Sequence, residues 1–134
     1  IKLFRVAEMY LILAEAHALK AAPDFVAGEG FINQLRASRR LAPTALPNVS
    51  FASQQDAITK ILDERRREFV GEGHRFFDLK RTTRTLTRGS TCGIATQSPI
   101  TKCSLAPTAR EWTFPITETL RNANPNLVQN PSWN

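Results

Sequence analysis

The sequence has little of what builds membrane spans, metal sites and signal peptides. Its 134 residues include two cysteines, two histidines and one methionine. No apolar run approaches the ~20 residues needed to span a bilayer. The first residues contain neither an initiator methionine nor the charged, apolar and cleavage regions of a signal peptide. Because the chain opens in the middle of a helical pattern, we expect it to be part of a longer protein whose targeting signal lies upstream.

Sequence motifs of the common enzyme classes are also missing. The sequence contains no GxGxxG, P-loop, HExxH, GxSxG or paired CxxC motif. His17 and His74 have no serine, cysteine or histidine at motif spacing, and most carboxylates have basic residues close by on the same predicted helix. The sequence therefore predicts a protein that is not an enzyme and that uses no metal or cofactor.

The chain carries a basic excess, with a net charge of +6 and a pI near 10.0. Between Asp78 and Glu111 there is no acid, and the cations of this stretch are Lys80, Arg81, Arg84, Arg88, Lys102 and Arg110. One hypothesis is a nucleic-acid surface over residues 80–110, with an affinity that falls steeply with salt. A solvated loop or hairpin is the plainer interpretation, because no aromatic residues are interleaved with these cations for bases to stack on.

A mostly α-helical fold is predicted, beginning with a tetratricopeptide-like helix pair over residues 4–40. The first helix, 3–20, has an apolar face made of Val6, Met9, Tyr10, Leu13 and His17. Since much of its remaining surface is also apolar, it should lie between two neighbours. A second helix starts after Asp24, its predicted N-cap, and Gly28 permits close packing against the first. One such pair needs stacked neighbours to bury its faces.

The strongest helical signal covers residues 54–70, with Ser53 as its N-cap. Its buried stripe is predicted to consist of Ile58, Ile61, Leu62 and Phe69. Arg65 falls in the middle of this stripe. The positions assigned to the outer surface are Lys60, Asp63, Glu64, Arg66 and Arg67. A left-handed glycine, Gly71 or Gly73, is expected to end the helix.

Arg65 needs an internal partner, because a buried guanidinium keeps its proton. Glu68, three residues on, lies at the edge of the same stripe, and Glu72 lies one helical repeat away. We therefore predict an ion pair of Arg65 with Glu68 or with Glu72. On this interpretation the charged residues around Arg65 have a structural role and form ion pairs with one another.

Residues 83–134 are predicted to form a loop followed by an irregular, turn-rich tail. Residues 111–116 alternate, which puts Trp112, Phe114 and Ile116 on one side of an extended segment. Thr117 is the predicted cap of a one-turn helix, and the prolines that follow disfavour further helix. Trp112 and Trp133 are either buried or available as platforms for sugar rings.

The two cysteines, Cys92 and Cys103, lie in the loop. Their spacing and the lack of a nearby histidine argue against zinc. A disulfide would close a short loop, worth ~2–4 kcal/mol in an oxidising compartment. Two unpaired thiols are the alternative, and the spacing alone leaves both open.

Three stretches, in this order, resemble the C-terminal part of the SusD/RagB family. They are RVAEMYLILAEAHAL (5–19) with FINQLRASRR (31–40), then ILDERRREFVGEGHRFFDLKRT (61–82), then FPITETLRNANPNLVQNPSW (114–133). The second is similar to the family's ERR.E...EG.R..DL.R signature. The signature positions, which we interpret as a structural charge network, are Arg65, Glu68, Glu72, Arg75, Asp78 and Arg81. One departure is Ser132, which stands where glycine is usual.

The resemblance implies a non-catalytic glycan- or nutrient-binding lipoprotein on the surface of the Bacteroidetes outer membrane. Such a protein works with a SusC-like TonB-dependent transporter and is lipid-anchored through a segment absent here. Residues 1–134 are then its C-terminal scaffold, comprising the helix pair at 4–40, the signature helix at 53–82 and the loop and tail at 83–134.

The same resemblance narrows the expected ligands and partners. The nutrient should be held largely by upstream segments, which leaves Trp112 as the ligand-contact candidate here, and no nucleic-acid partner is expected. An exported location favours the Cys92–Cys103 disulfide. The alternative function is a free-standing tetratricopeptide-like adaptor for protein partners, with more helix pairs upstream and no sugar ligand. Self-association through an uncovered apolar flank is a further hypothesis.

Overall fold

A computed structural model describes residues 5–39, 47–89, 92 and 102–133, and it divides the chain into two compact units, 1–75 and 76–134. The first unit contains α1 (Val6–Leu19), α2 (Phe25–Ser38) and α3 (Gln54–Glu68), and α4 (His74–Arg81) begins at its end. The second unit contains β1 (Leu86–Thr87), β2 (Ser104–Leu105), a 3-10 turn at Arg110–Trp112, α5 (Glu118–Ala123) and a 3-10 turn at Pro131–Trp133. The mostly helical fold class is confirmed.

The helices α2 and α3 begin at their predicted caps, and the predicted glycines follow α3. Asp24 Oδ1 accepts a hydrogen bond from the Ala27 amide at 3.1 Å, and Ser53 Oγ accepts one from the Asp56 amide at 3.1 Å. After α3, Gly71 and Gly73 have φ values of 77° and 82°, a backbone region that favours glycine. Within the described ranges, no helix has the length and apolarity needed to cross a bilayer.

The buried face of α1 differs from the predicted one, of which Tyr10 and His17 are half-buried and the other residues are exposed. Its buried residues are Ala7, Leu11, Ala14 and Ala18, whereas Val6 is 73% exposed. Small residues face α2 because the two helices approach closely: a Cβ added to Gly28 would lie 3.0 Å from the Ala14 carbonyl oxygen. The prediction was wrong because both faces of α1 are apolar, and the larger side chains were taken as the core face.

The core of the first unit joins all three helices. Its buried apolar cluster includes Leu11, Ile32, Leu35, Phe51, Ala57, Ile61 and Phe69. The predicted stripe of α3 is confirmed, since Ile58, Ile61, Leu62 and Phe69 are all buried. Full burial of each large side chain stabilises the fold by about 1.5–3 kcal/mol. This core therefore fixes how α3 presents its remaining, charged positions.

The second unit is built mainly from short pieces and cross-links. In its two-stranded antiparallel sheet, Leu86 pairs with Leu105. In the tail, the Gln129 side chain accepts from the Ile116 amide and donates to the Ile116 carbonyl, both at 2.9 Å. Trp133 Nε1 donates to the Thr113 carbonyl at 2.6 Å. These side-chain bonds hold the extended tail where it has no helix or strand partner.

The alternation predicted for residues 111–116 holds only in part: Trp112 and Phe114 both contact Phe76, with ring centroids 5.3 and 6.0 Å from it, but they differ in burial. Trp112 is 5% exposed, whereas Phe114, expected on the same side, is 76% exposed. The chain forms a 3-10 turn at Arg110–Trp112 and becomes extended only at Thr113. The turn breaks the two-residue period on which the prediction depended. Thr117 does precede α5, but its side chain makes no capping hydrogen bond.

Candidate functional site

Arg65 is buried, as its place in the stripe predicts. Its Nη2 lies 3.6 Å from Glu8 Oε1 on α1, and its guanidinium lies 5.2 Å from the centroid of the Phe69 ring. His74 stacks on Phe69 with centroids 4.6 Å apart, and its Nδ1 lies 3.7 Å from the same Glu8 oxygen. Glu8 is a partner from another helix, which neither predicted pair includes.

Glu68 binds arginines from two other parts of the first unit. Arg39, at the end of α2, donates to its carboxylate from Nε at 3.0 Å and from Nη2 at 2.7 Å. Arg5 donates to the same carboxylate and also reaches Glu72 Oε1 at 2.6 Å. The Arg39 hydrogen bonds hold the pKa of Glu68 below its ordinary value, against the opposing effect of burial.

Glu64 is buried at 8% exposure, which corrects its assignment to the outer surface of α3. Its Oε2 accepts from Arg36 Nη1 at 2.6 Å and from Arg67 Nη1 at 3.0 Å. The burial arises because Arg36, itself buried, reaches from α2 across the flank of α3. The available signal in the sequence is that Arg36 continues the apolar spacing of Ile32 and Leu35 on α2.

The signature positions are distributed over both units. In the first unit, Arg75 Nη1 donates to the Leu62 carbonyl at 3.4 Å. In the second, the buried Asp78 carboxylate accepts from Arg81 Nε at 3.0 Å and Nη2 at 2.9 Å. That all six signature residues act as one network stays a prediction. The partners of signature residues that the sequence pattern missed are Arg5, Glu8 and Arg39, and it also missed the separate Arg36–Glu64 pair.

Trp112, the ligand-contact candidate, is enclosed by protein. Its Nε1 donates to the Ala106 carbonyl at 2.7 Å, and its ring lies 5.3 Å from that of Phe76. Lys80 Nζ donates to the Trp112 carbonyl at 3.0 Å. A covered ring offers no open face to a sugar, so these contacts favour the structural alternative, and ligand contact by Trp112 stays a prediction. At Trp133, the guanidinium of Arg110 lies 4.4 Å from the ring centroid.

The two cysteines are joined in the structure. Cys92 and Cys103 form a disulfide with a Cα–Cα distance of 5.6 Å, next to the hydrogen bond from the Arg88 amide to the Cys103 carbonyl. This is the alternative that the family resemblance favours. In the part of the chain that the structure describes, no three His, Cys, Asp or Glu side chains are grouped to hold a metal ion.

Comparisons with known proteins agree with one another. The family model for the SusD family matches residues 1–133. A curated relative, SusD-like protein P38 of Formosa agariphila, is 36% identical over 88 residues, which are 63% of this chain and 17% of that protein. A SusD superfamily structure from Bacteroides thetaiotaomicron is 33% identical with a TM-score of 0.69, and one from Bacteroides vulgatus is 30% identical with a TM-score of 0.67. Each structural match covers 96% of this chain and 27% of the solved chain.

Proposed function

Because the chain belongs to the SusD family, we propose that it serves in the capture of glycans or other nutrients at the Bacteroidetes cell surface. In this proposal the protein is a non-catalytic lipoprotein of the outer membrane, anchored through a segment outside residues 1–134. It works with a SusC-like TonB-dependent transporter. The observation that carries the proposal is the family match over residues 1–133, which includes the signature stretch at 61–82.

Within such a protein, we assign the role of scaffold to this chain. Many of its charged side chains form ion pairs within the first unit. Examples are Glu64 with Arg36 of α2 and Glu68 with Arg39, which follows α2. The outer face of α1 exposes large apolar side chains, namely Val6, Met9, Ile12 and Leu13. A face of this kind suits a protein neighbour, and we assign it to the transporter contact. The nutrient is then held largely by parts of the protein outside this chain.

Co-purification from outer-membrane fractions tests the transporter contact. The tagged protein should bring down a TonB-dependent barrel, and Val6→Lys should reduce the yield because it places a charge in the apolar face of α1. Val26→Lys is the matched control, since Val26 is an equally exposed valine on α2. Equal yields from the two variants would contradict the assignment of the contact to α1, and no barrel with the unmodified protein would contradict the partnership.

Retention of polysaccharides tests nutrient capture. The longer natural polypeptide and the 134-residue chain are compared side by side on a panel of immobilised polysaccharides. We expect the longer polypeptide to be retained and the chain alone to be retained weakly or not at all. If neither is retained while a soluble protein partner is recovered, the adaptor alternative is supported instead.

A further inference from the structure

A cavity of about 280 Å³ lies in the first unit, next to the charge pairs described above. One wall is the segment 47–50, and the other is formed by Arg36 of α2 with Lys60, Asp63 and Arg67 of α3. The volume is near the lower limit for small-molecule sites. It therefore suits a ligand of about one sugar ring.

The cations of this cavity retain donor capacity for a ligand. The Arg67 side chain is 65% exposed, and its Nη1 donates to Glu64 Oε2. Because a guanidinium has five N–H donors, others remain for a ligand. Lys60 Nζ donates to the Ser50 carbonyl and to Asp56 Oδ2, both at 2.7 Å, which leaves one of its three protons. Arg36 Nε is buried and has no hydrogen-bond partner within the described part of the chain. Because Nε has almost no accessible surface, Arg36 contributes its charge to the cavity and not a hydrogen bond from this atom.

The wall at 47–50 is held in place by side chains of α2. Asn33 donates to the Val49 carbonyl at 2.8 Å and accepts from its amide at 2.7 Å. Arg36 Nη2 donates to the Pro47 carbonyl at 3.2 Å. The segment is thus fixed before any ligand arrives, which reduces the entropy lost on binding.

A second cavity of the first unit, of about 230 Å³, has a different lining. Its walls include Val6, Tyr10 and Leu35, and the cation that lines it is Arg39. Arg39 donates hydrogen bonds from Nε and Nη2 to the Glu68 carboxylate. The larger cavity brings three cations together with Asp63. Arg36 and Arg67 pair with Glu64, and Lys60 pairs with Asp56. Arg67 and Lys60 are the more exposed of the three and keep donors that can reach a charged ligand.

We propose that the larger cavity binds an acidic sugar through its carboxylate or sulfate group. Arg67 and Lys60 contact the charged group, and oxyanions are the groups that such cations recognise best. Asp63 and the Ser50 hydroxyl accept and donate at the sugar hydroxyls. The inference that the ligand is a sugar rests on the proposed function. The inference that it carries a negative charge rests on the cations in the cavity.

Titration of the ¹⁵N-labelled 134-residue chain with sodium galacturonate, galactose 6-sulfate and galactose tests this site. We expect the two anions to change the amide chemical shifts of residues 47–50 and of α3 around 60–67. The anion that binds more tightly shows whether the cavity prefers a carboxylate or a sulfate. Galactose should bind more weakly than either anion. Added salt should weaken anion binding, because Lys60 and Arg67 are partly exposed to solvent. Arg67→Gln should lower the affinity about tenfold, the scale of one charged hydrogen bond.

The matched control is Arg66→Gln, which removes the same charge from the adjacent, exposed position of α3 and should change the affinity less than about twofold. Equal losses from Arg66→Gln and Arg67→Gln would overturn the site, and so would galactose binding as tightly as galacturonate.

The result separates this site from the proposed function. Polysaccharide retention by the longer polypeptide with no anion binding here would reject the site alone. Anion binding here with neither polysaccharide retention nor a co-purified barrel would keep the site and reject the proposed function.

Discussion

The first unit buries both partners of a charge pair, Glu64 and Arg36, whereas the buried Asp78 of the second unit pairs with the more exposed Arg81. The second unit also holds an extended tail with side-chain bonds to its backbone. In the first, α1, α2 and α3 share an apolar cluster, and Glu64 with Arg36 is buried beside it. In the second, the tail is fixed by the Gln129 and Trp133 side chains, and the Cys92–Cys103 disulfide closes the loop. We infer that the first unit depends on core volume and desolvated charge pairs, and the second on individual cross-links.

The largest expected effect comes from removing the carboxylate at the centre of the first unit. Glu64→Ala leaves the Arg36 guanidinium buried without its charge partner, which should lower the free energy of unfolding by about 3–5 kcal/mol. Urea denaturation followed by circular dichroism measures the loss. The buried charge pair is the feature that most clearly separates the first unit from the second.

Glu72→Ala is the matched control, because it also removes a glutamate paired with an arginine, here Arg5. Both side chains of that pair are about one-third exposed, at 31% and 35%, so the loss should stay below about 1 kcal/mol. Similar losses from Glu64→Ala and Glu72→Ala would show that burial does not distinguish the two carboxylates.

Removing the disulfide of the second unit should lower its free energy of unfolding by about 2–4 kcal/mol. The double change Cys92→Ser with Cys103→Ser frees a loop with a sequence separation of 11 residues. Hydrogen exchange should accelerate at the Arg88 amide, which donates to the Cys103 carbonyl across the strands. Unchanged exchange at Arg88 would show that the disulfide does not hold the second unit.

Signals that act within a few residues of the chain were predictable from the sequence. The caps at Asp24 and Ser53 and the glycines after α3 lie where the pattern places them, because each depends on its own turn. The stripe of α3 was also clear, since one face of that helix is apolar and the other is charged.

Features that depend on a second element were not predictable in the same way. The core face of α1 was misassigned because small residues face α2 at close approach, as at Ala14 and Gly28. Glu64 was placed at the surface because its partner, Arg36, lies 28 residues away on α2. In the candidate site, the signature positions were found, but most of their partners come from α1 and α2, whose placement sets the pairs.

A smaller effect is expected from close packing at Gly28. In Gly28→Ala the added Cβ would lie 3.0 Å from the Ala14 carbonyl oxygen and 3.1 Å from Phe51 Cε2. Overpacking of this kind costs about 1–3 kcal/mol, from which the helix-propensity gain of up to about 1 kcal/mol is subtracted. Urea denaturation measures the net loss. Gly30→Ala on the same helix is the control, because its Cβ meets nothing within 4 Å, and it should stabilise the helix by up to about 1 kcal/mol. Stabilisation by Gly28→Ala would refute the close approach of α1 and α2.

The smallest expected effect is the pH dependence contributed by Glu68. Its pKa is lowered in the folded state, chiefly by the hydrogen bonds from Arg39, so the unfolded state takes up its proton first as the pH falls. The stabilisation is therefore fully present above the ordinary glutamate pKa of about 4.3 and is lost as the pH falls through the lower, folded value. Because Arg39 is half exposed, the contribution should not exceed about 1 kcal/mol. Urea denaturation of the chain and of Glu68→Gln across this acid range measures it. The variant should show a shallower loss of stability with acid, and identical slopes would mean that the Arg39–Glu68 pair, unlike the buried pair at Glu64, contributes nothing to the first unit.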